Sequence, residues 1–315
     1  HSGGILRHYL QYVPQGGGTG EQLPVVLLLP GNRNDPIGFL KYPDMLAFAE
    51  RKRFIILVLI GEHLQFNVEL HSLANPRRPD DVAYTKAVLD EVDLRLCLDW
   101  DRIYCTGMSR GVRFCMRLAS ELSNVVAAVG AVSGLRFPMP NNATRPIPII
   151  SFHGTGDKID PYEGSAKIHY WGTDTVPGAA GSWASFNNCS DRTLDSLGRG
   201  SGVSVINHSD CDQGANVILY TIKGAPHSSP STPYIYGPFT SWINVTGLMW
   251  NFFELHPIRH RTDEGAMHPA KLFSSRLALS LQSGGGWASY LVAIVMTLLA
   301  VAVLSCLAWR LHALH

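Results

Sequence analysis

The chemistry of this chain centres on Gly107-Met108-Ser109-Arg110-Gly111, a G-x-S-x-G pattern. An apolar run, Arg102-Ile103-Tyr104-Cys105-Thr106, precedes it, and a helical pattern over 112–122 follows. Strand, sharp turn and helix is the setting that lifts a serine hydroxyl clear of a sheet edge, and the flanking glycines permit a turn that a Cβ would block. A serine hydroxyl is a weak nucleophile at neutral pH. It needs an adjacent base, commonly a histidine whose tautomer a carboxylate fixes.

Two later segments offer that base and that acid. The strand pattern at 147–152 runs into His153-Gly154-Thr155-Gly156-Asp157, and the one at 217–222 runs into Lys223-Gly224-Ala225-Pro226-His227. Ser109, Asp157 and His227 thus follow one another in the order Ser, Asp, His, each shortly after its own strand, which is one of the known chain orders of a catalytic triad. Asp160 is the alternative acid, and His153 is the alternative base, although it precedes the acid and breaks the order. An oxyanion requires two backbone donors. The amide of Arg110, next after the serine, and that of Asn32, in the loop Pro30-Gly31-Asn32-Arg33-Asn34, are expected to supply them.

The elements that must position these residues read as buried strands alternating with helices. Strands are expected at 8–13, 25–29, 54–60, 125–132, 147–152 and 217–222, with helices at 45–51, from 79–81 to about 96, at 112–122 and at 248–255. Asp80 or Asp81 is the expected N-cap of the long helix. This alternation predicts an α/β fold with a doubly wound, mostly parallel sheet.

A net charge of +1 gives no reason to expect a nucleic-acid partner. The chain opens on His1 with no signal-peptide pattern, which reads as a processed or trimmed end. Sequons at Asn142, Asn188, Asn207 and Asn244 fit a secreted, extracellular glycoprotein. His256 and His260 have a spacing that could hold a metal on a helix, but Pro257 interrupts it and no third ligand is evident, so no metal and no cofactor is expected. The domain plan is a catalytic domain over 1–257, a linker or stalk over 258–286, an apolar span over 287–309 and a short tail over 310–315. The 23 residues of that span carry no charge and exceed the roughly 20 needed to cross a bilayer core. Trp287, Tyr290 and Trp309 lie near its ends, so a C-terminal transmembrane helix is expected to anchor the chain in the membrane. A lipid-anchor signal with its small residues at Ser274-Ser275 or Ser283-Gly284 is the alternative.

Over about residues 5–257 the sequence resembles the secreted polyhydroxybutyrate depolymerase and feruloyl esterase family of α/β-hydrolases, related to carbohydrate esterase family 1. The resemblance is carried by Arg7-His8-Tyr9 with Tyr12-Val13-Pro14, Asp80-Asp81-Val82, Asp99-Trp100-Asp101-Arg102-Ile103-Tyr104 and Thr106-Gly107-Met108-Ser109. It continues in His153-Gly154-Thr155-Gly156-Asp157 with Pro161-Tyr162-Glu163-Gly164, in Trp183-Ala184 with Asn188-Cys189 and Cys211, and in Trp250-Asn251-Phe252-Phe253 with His256-Pro257. It implies Ser109 as nucleophile, Asp157 as orienting acid, His227 as base and a Cys189–Cys211 disulfide. It also implies an ester substrate, either a feruloyl or acetyl ester on polysaccharide or a short-chain polyester. The chain departs from the family at Leu29-Pro30-Gly31, where Leu-His-Gly is usual, at Val112, where a glycine is usual, and around His227, where a tryptophan is lost. These departures motivate one alternative, an inactive hydrolase fold serving as a surface binding protein. A peptidase of the prolyl-oligopeptidase type shares the fold but lacks a propeller domain here. Cys97, Cys105 and Cys115 have no assignable partner, and Cys105 is expected to be a small buried residue.

Overall fold

A computed structural model describes residues 4–18, 20–40, 45–68, 78–164, 175–197, 201–228 and 243–258. Its centre is a set of strands with no polar face. Leu23–Leu29 (β2) and Ile55–Leu59 (β3) are buried at every position, as strands covered on both sides must be. They belong to a nine-stranded sheet built with Tyr9–Tyr12 (β1), Leu98–Met108 (β4), Val129–Val132 (β5), Ile149–Gly154 (β6), Asp191–Ser196 (β7), Val203–Ser209 (β8) and Val217–Ile222 (β9). The order is β1-β3-β2-β4-β5-β6-β9-β8-β7. The strands from β3 to β9 pair in parallel, while β1 pairs antiparallel at one edge and the β7–β8 hairpin antiparallel at the other.

Alternation along the strands divides the core in two. Leu23, Val25, Leu27 and Leu29 join the layer under Asp81–Leu96 (α3), Arg110–Glu121 (α4) and Val176–Phe186 (α5). Val26 and Leu28 point the other way, toward Met45–Lys52 (α2) and Val245–Glu254 (α6); Pro36–Leu40 (α1) is a short turn of helix after β2. The doubly wound sheet expected from the sequence is therefore the fold. Asp80 caps α3, its carboxylate accepting from the amides of Val82 and Ala83 at 3.1 and 3.0 Å.

Three features lie outside the sequence reading. The hairpin β7–β8 is one, because Asp-Arg-Thr-Leu-Asp-Ser in β7 is exposed throughout and carries no apolar alternation. A second is α5, whose Gly178 and Gly181 weaken the helical pattern although Thr175 caps it. The third corrects the expectation for Cys105. It is not a lone buried side chain but is bonded to Cys115, across the turn that joins β4 to α4. A strand residue and a helix residue ten apart meet only because α4 folds back on β4. Cys189 and Cys211 are also bonded, tying the segment after α5 to the end of β8, and Cys97 is disulfide-bonded as well.

Asn142, Asn188 and Asn244 are exposed, and Asn207 is half-buried on β8. The Asn244 side chain caps α6 through the Gly247 amide at 2.9 Å. The ring of His256 faces the carbonyls of Phe252 and Gly214 at 2.6 and 3.1 Å, and His260 lies outside the described residues. So do the stalk beyond Ile258 and the 287–309 span; among the described residues no helix is long and apolar enough to cross a membrane.

Close backbone packing gives a direct test of the sheet–elbow contact. A Cβ at Gly111 would lie 2.0 Å from the Leu29 carbonyl oxygen, whereas one at Gly181 in α5 would meet nothing within 4 Å. Gly111→Ala is expected to destabilise the fold by about 3 kcal/mol, and Gly181→Ala to stabilise it by roughly 0.5–1 kcal/mol. Urea unfolding midpoints distinguish the two, and equal midpoints would contradict this packing.

Candidate active site

Ser109 joins β4 to α4 with φ 56° and ψ −124°. A positive φ is unfavourable for a residue with a side chain, costing on the order of 1–3 kcal/mol, and persists only where the surroundings impose it. Here they do. The Ser109 amide donates to the Val132 carbonyl at 3.0 Å, and its own carbonyl accepts from the Arg113 amide at 3.0 Å. Gly107 and Gly111 both abut the Leu29 carbonyl oxygen, where a Cβ would sit at 2.1 or 2.0 Å. Val112, at the position where the resembled family usually has glycine, is fully buried. Gly134 makes room for it, since a Cβ at 134 would come within 3.0 Å of the Val112 Cβ and 2.6 Å of the Ser109 carbonyl oxygen.

Asp157 and His227 meet on the same sheet edge. Asp157 Oδ2 accepts from His227 Nδ1 at 2.7 Å, and Oδ1 accepts from the amides of Ile159 and Asp160 at 2.9 and 2.7 Å. Burial pushes this carboxyl upward, but hydrogen bonds from His153, His227 and the Asp160 amide outweigh it and hold Asp157 well below the usual carboxylate range. With Nδ1 donating to the carboxylate, the neutral imidazole of His227 keeps its lone pair on Nε2. The two loops interlock through bare backbone. A Cβ at Gly154 would lie 2.0 Å from the Ala225 carbonyl oxygen. The Gly156 amide donates to that same oxygen at 2.9 Å, and the Gly224 amide donates to Thr155 Oγ1 at 2.8 Å.

Register brings Ser109 alongside. Met108 pairs with Val132, Val132 with Phe152, and Gly154 with Ile222, so β4, β5, β6 and β9 end together. Ser133, just past β5 with φ 47°, bridges the gap. Its hydroxyl donates to the carbonyl of Ser228, the neighbour of His227, at 3.3 Å, while the preceding Val132 carbonyl holds the Ser109 amide. The sequence reading did not single out Ser133; Ser133-Gly134 at a strand end was its only signal.

The alternative acid and base have other partners. The buried Asp160 carboxylate pairs with Arg136 and, at 3.0 Å, with Arg113 of α4. His153 is fully buried beside the acid, its Nε2 2.8 Å from the Asp160 carbonyl and 3.3 Å from Asp157 Oδ2.

Of the expected oxyanion donors, Arg110 opens α4, where the amides of a helix N-terminus point outward. Its guanidinium donates to the Phe66 carbonyl at 2.8 Å. Asn32 lies in the exposed turn after β2, set by the Asn34 amide on the Gly31 carbonyl at 3.2 Å and by the Arg33 amide on the Leu64 carbonyl at 2.9 Å. That turn borders the serine, because a Cβ at Gly31 would stand 3.5 Å from the Ser109 Cβ. Pro30, in place of histidine, leaves this approach intact. Among the described residues no cluster of three or more His, Cys, Asp or Glu side chains could hold a metal.

No family model matches the chain. It is 28% identical over 161 residues to feruloyl esterase B of Piromyces equi, covering 47% of this chain and 29% of that protein. It is 27% identical over 142 residues to feruloyl esterase C of Emericella nidulans, covering 45% of this chain and 48% of that one. The chain thus spans less than half the length of these curated relatives. Among solved structures, the acetyl xylan esterase from Aspergillus awamori aligns with a TM-score of 0.57 at 12% identity, over 78% of this chain and 93% of that one. At that identity the likeness is one of fold. The chain is therefore related in sequence to feruloyl esterases and has the α/β-hydrolase fold, shared with an acetyl xylan esterase.

Proposed function

We propose that the chain is a serine esterase that hydrolyses carboxylic esters through Ser109, His227 and Asp157. Ser109 Oγ attacks the ester carbonyl as His227 Nε2 takes its proton, and the imidazolium returns that proton to the departing alcohol. Water, deprotonated by the same nitrogen, then releases the acid and regenerates the hydroxyl. Asp157 holds the ring in its tautomer and balances the imidazolium. The amides of Arg110 and Asn32 would face the oxyanion. The observation that carries this reading is the 2.7 Å contact of Asp157 with His227 on the sheet edge where Ser109 is held at φ 56°.

The names of the relatives favour feruloyl or acetyl esters on polysaccharide as substrates. The disulfides fit an oxidising, extracellular compartment, with the 287–309 span as tether.

Ser109→Ala should lower hydrolysis of p-nitrophenyl acetate and methyl ferulate by at least about 10³-fold and abolish labelling by a fluorophosphonate probe, with thermal unfolding unchanged. Labelling that survives the substitution would remove Ser109 from the mechanism. Asp157 also predicts a pH dependence. Its folded-state pKa lies below the unfolded value of about 3.9. The stabilisation it gives is therefore full above roughly pH 5 and is lost as pH falls through the folded value. The stability gap between the wild type and Asp157→Asn should shrink between pH 5 and 2 in urea titrations. A constant gap would mean that the carboxylate is not selectively stabilised by the fold.

A further inference from the structure

We propose that His153 is a positioning residue that fixes the Asp157 carboxylate for the reaction, an inference that rests on the esterase reading above. His153 is the penultimate residue of β6, and its side chain is wholly buried. Its Nε2 faces two acceptors at once, the Asp160 carbonyl at 2.8 Å and Asp157 Oδ2 at 3.3 Å. Its Nδ1 is buried and meets no partner among the described residues. The ring proton therefore belongs on Nε2, where both acceptors can use it.

The position of those acceptors gives the contact its effect. Asp157 and Asp160 are the two ends of one short turn, already joined by the Asp160 amide on Asp157 Oδ1 at 2.7 Å. The segment leading into it, Gly154-Thr155-Gly156, has two glycines and little side chain with which to hold its own shape. A single N–H from beneath clamps the turn at both ends, by main chain at Asp160 and by side chain at Asp157. The carboxylate then has amides on Oδ1 and imidazoles on Oδ2, which leaves it one orientation. His227 Nδ1 depends on that orientation at 2.7 Å, and through it so does the ring whose other nitrogen, Nε2, takes the Ser109 proton in the proposed reaction.

A purely structural role fits the residue type poorly. A buried ring nitrogen without a partner costs stability, a cost that an apolar side chain of similar size would avoid only by leaving the Asp160 carbonyl and the Asp157 carboxylate without this donor. The ring packs edge-on to Tyr162 at 5.9 Å, a contact that a phenyl or aliphatic group could also make. What an apolar group cannot do is donate to the carboxylate.

The test is steady-state kinetics on p-nitrophenyl acetate and methyl ferulate, with unfolding midpoints measured for every variant. His153→Leu should lower kcat by about 10–100-fold through misplacement of the base, with KM nearly unchanged and the unfolding midpoint lowered, because two buried acceptors lose their donor. His153→Gln, whose amide can reach the same acceptors, should recover most of the loss, and His153→Asn, too short to do so, should not. If His153→Leu fails to fold, the Gln and Asn variants still decide the matter. In the Asp157→Asn background His153→Leu should cost little more, because its effect passes through that carboxylate. Wild-type kcat in His153→Leu, equal rates for the Gln and Asn variants, or a loss fully additive with Asp157→Asn would each overturn the proposal. A folded wild type with no turnover would instead overturn the esterase reading, and this role with it.

Discussion

The Leu29 carbonyl oxygen lies so close to the backbone at 107 and at 111 that neither position has room for a side chain. Much of the site depends on that contact. It presses the end of β2 against both arms of the turn that carries Ser109, and β2 is held in place by its parallel pairing with β3 and β4. The chain leaving β2 must then pass the serine, which brings Gly31 to its Cβ and the Asn32 amide into the neighbourhood. The same squeeze helps to force Ser109 into a backbone conformation that it would not adopt alone. A short-range exclusion between backbones, more than any single hydrogen bond, sets where the hydroxyl stands.

Charge is arranged around that geometry with some economy. Two buried carboxylates lie three residues apart, and they have different companions. Asp157 takes imidazoles and amides, while Asp160 takes the guanidinium groups of Arg136 and Arg113. A buried carboxylate needs opposite charge beside it, and the two arginines supply it to Asp160. Arg113 comes from α4, one turn past Ser109, so the helix that begins at that serine is ion-paired to the loop that carries Asp157.

The legible part of this structure was the part with strong local grammar. Unbroken apolar runs such as Val-Val-Leu-Leu-Leu could only be covered strands, and glycines flanking a serine between a strand and a helix could be read as a forced turn. Strand ends with glycines before Asp157 and His227 pointed to one edge of the sheet. What stayed hidden depends on distant residues. Val112 is a departure from the resembled family whose accommodation rests on Gly134, at the end of another strand, which leaves the space it fills. The pairing of Cys105 with Cys115 required knowing that α4 doubles back on β4. The β7–β8 hairpin has an exposed outer strand, so burial wrote no pattern into it. His153 read as a misplaced base because its chain order was visible and its depth was not.

The two disulfides with described partners have the same chemistry and unequal stakes. The bond between Cys189 and Cys211 fastens a peripheral hairpin, and its rupture would loosen a margin of the sheet. The bond between Cys105 and Cys115 encloses Ser109 within the loop it closes, in the middle of the sheet. Closing that loop is thus bound up with the shaping of the segment that bears Ser109, and because both of its sulfurs are fully buried while Cys189 and Cys211 are half-buried, a thiol reagent would reach the peripheral bond first and the Ser109 loop only once the interior opens.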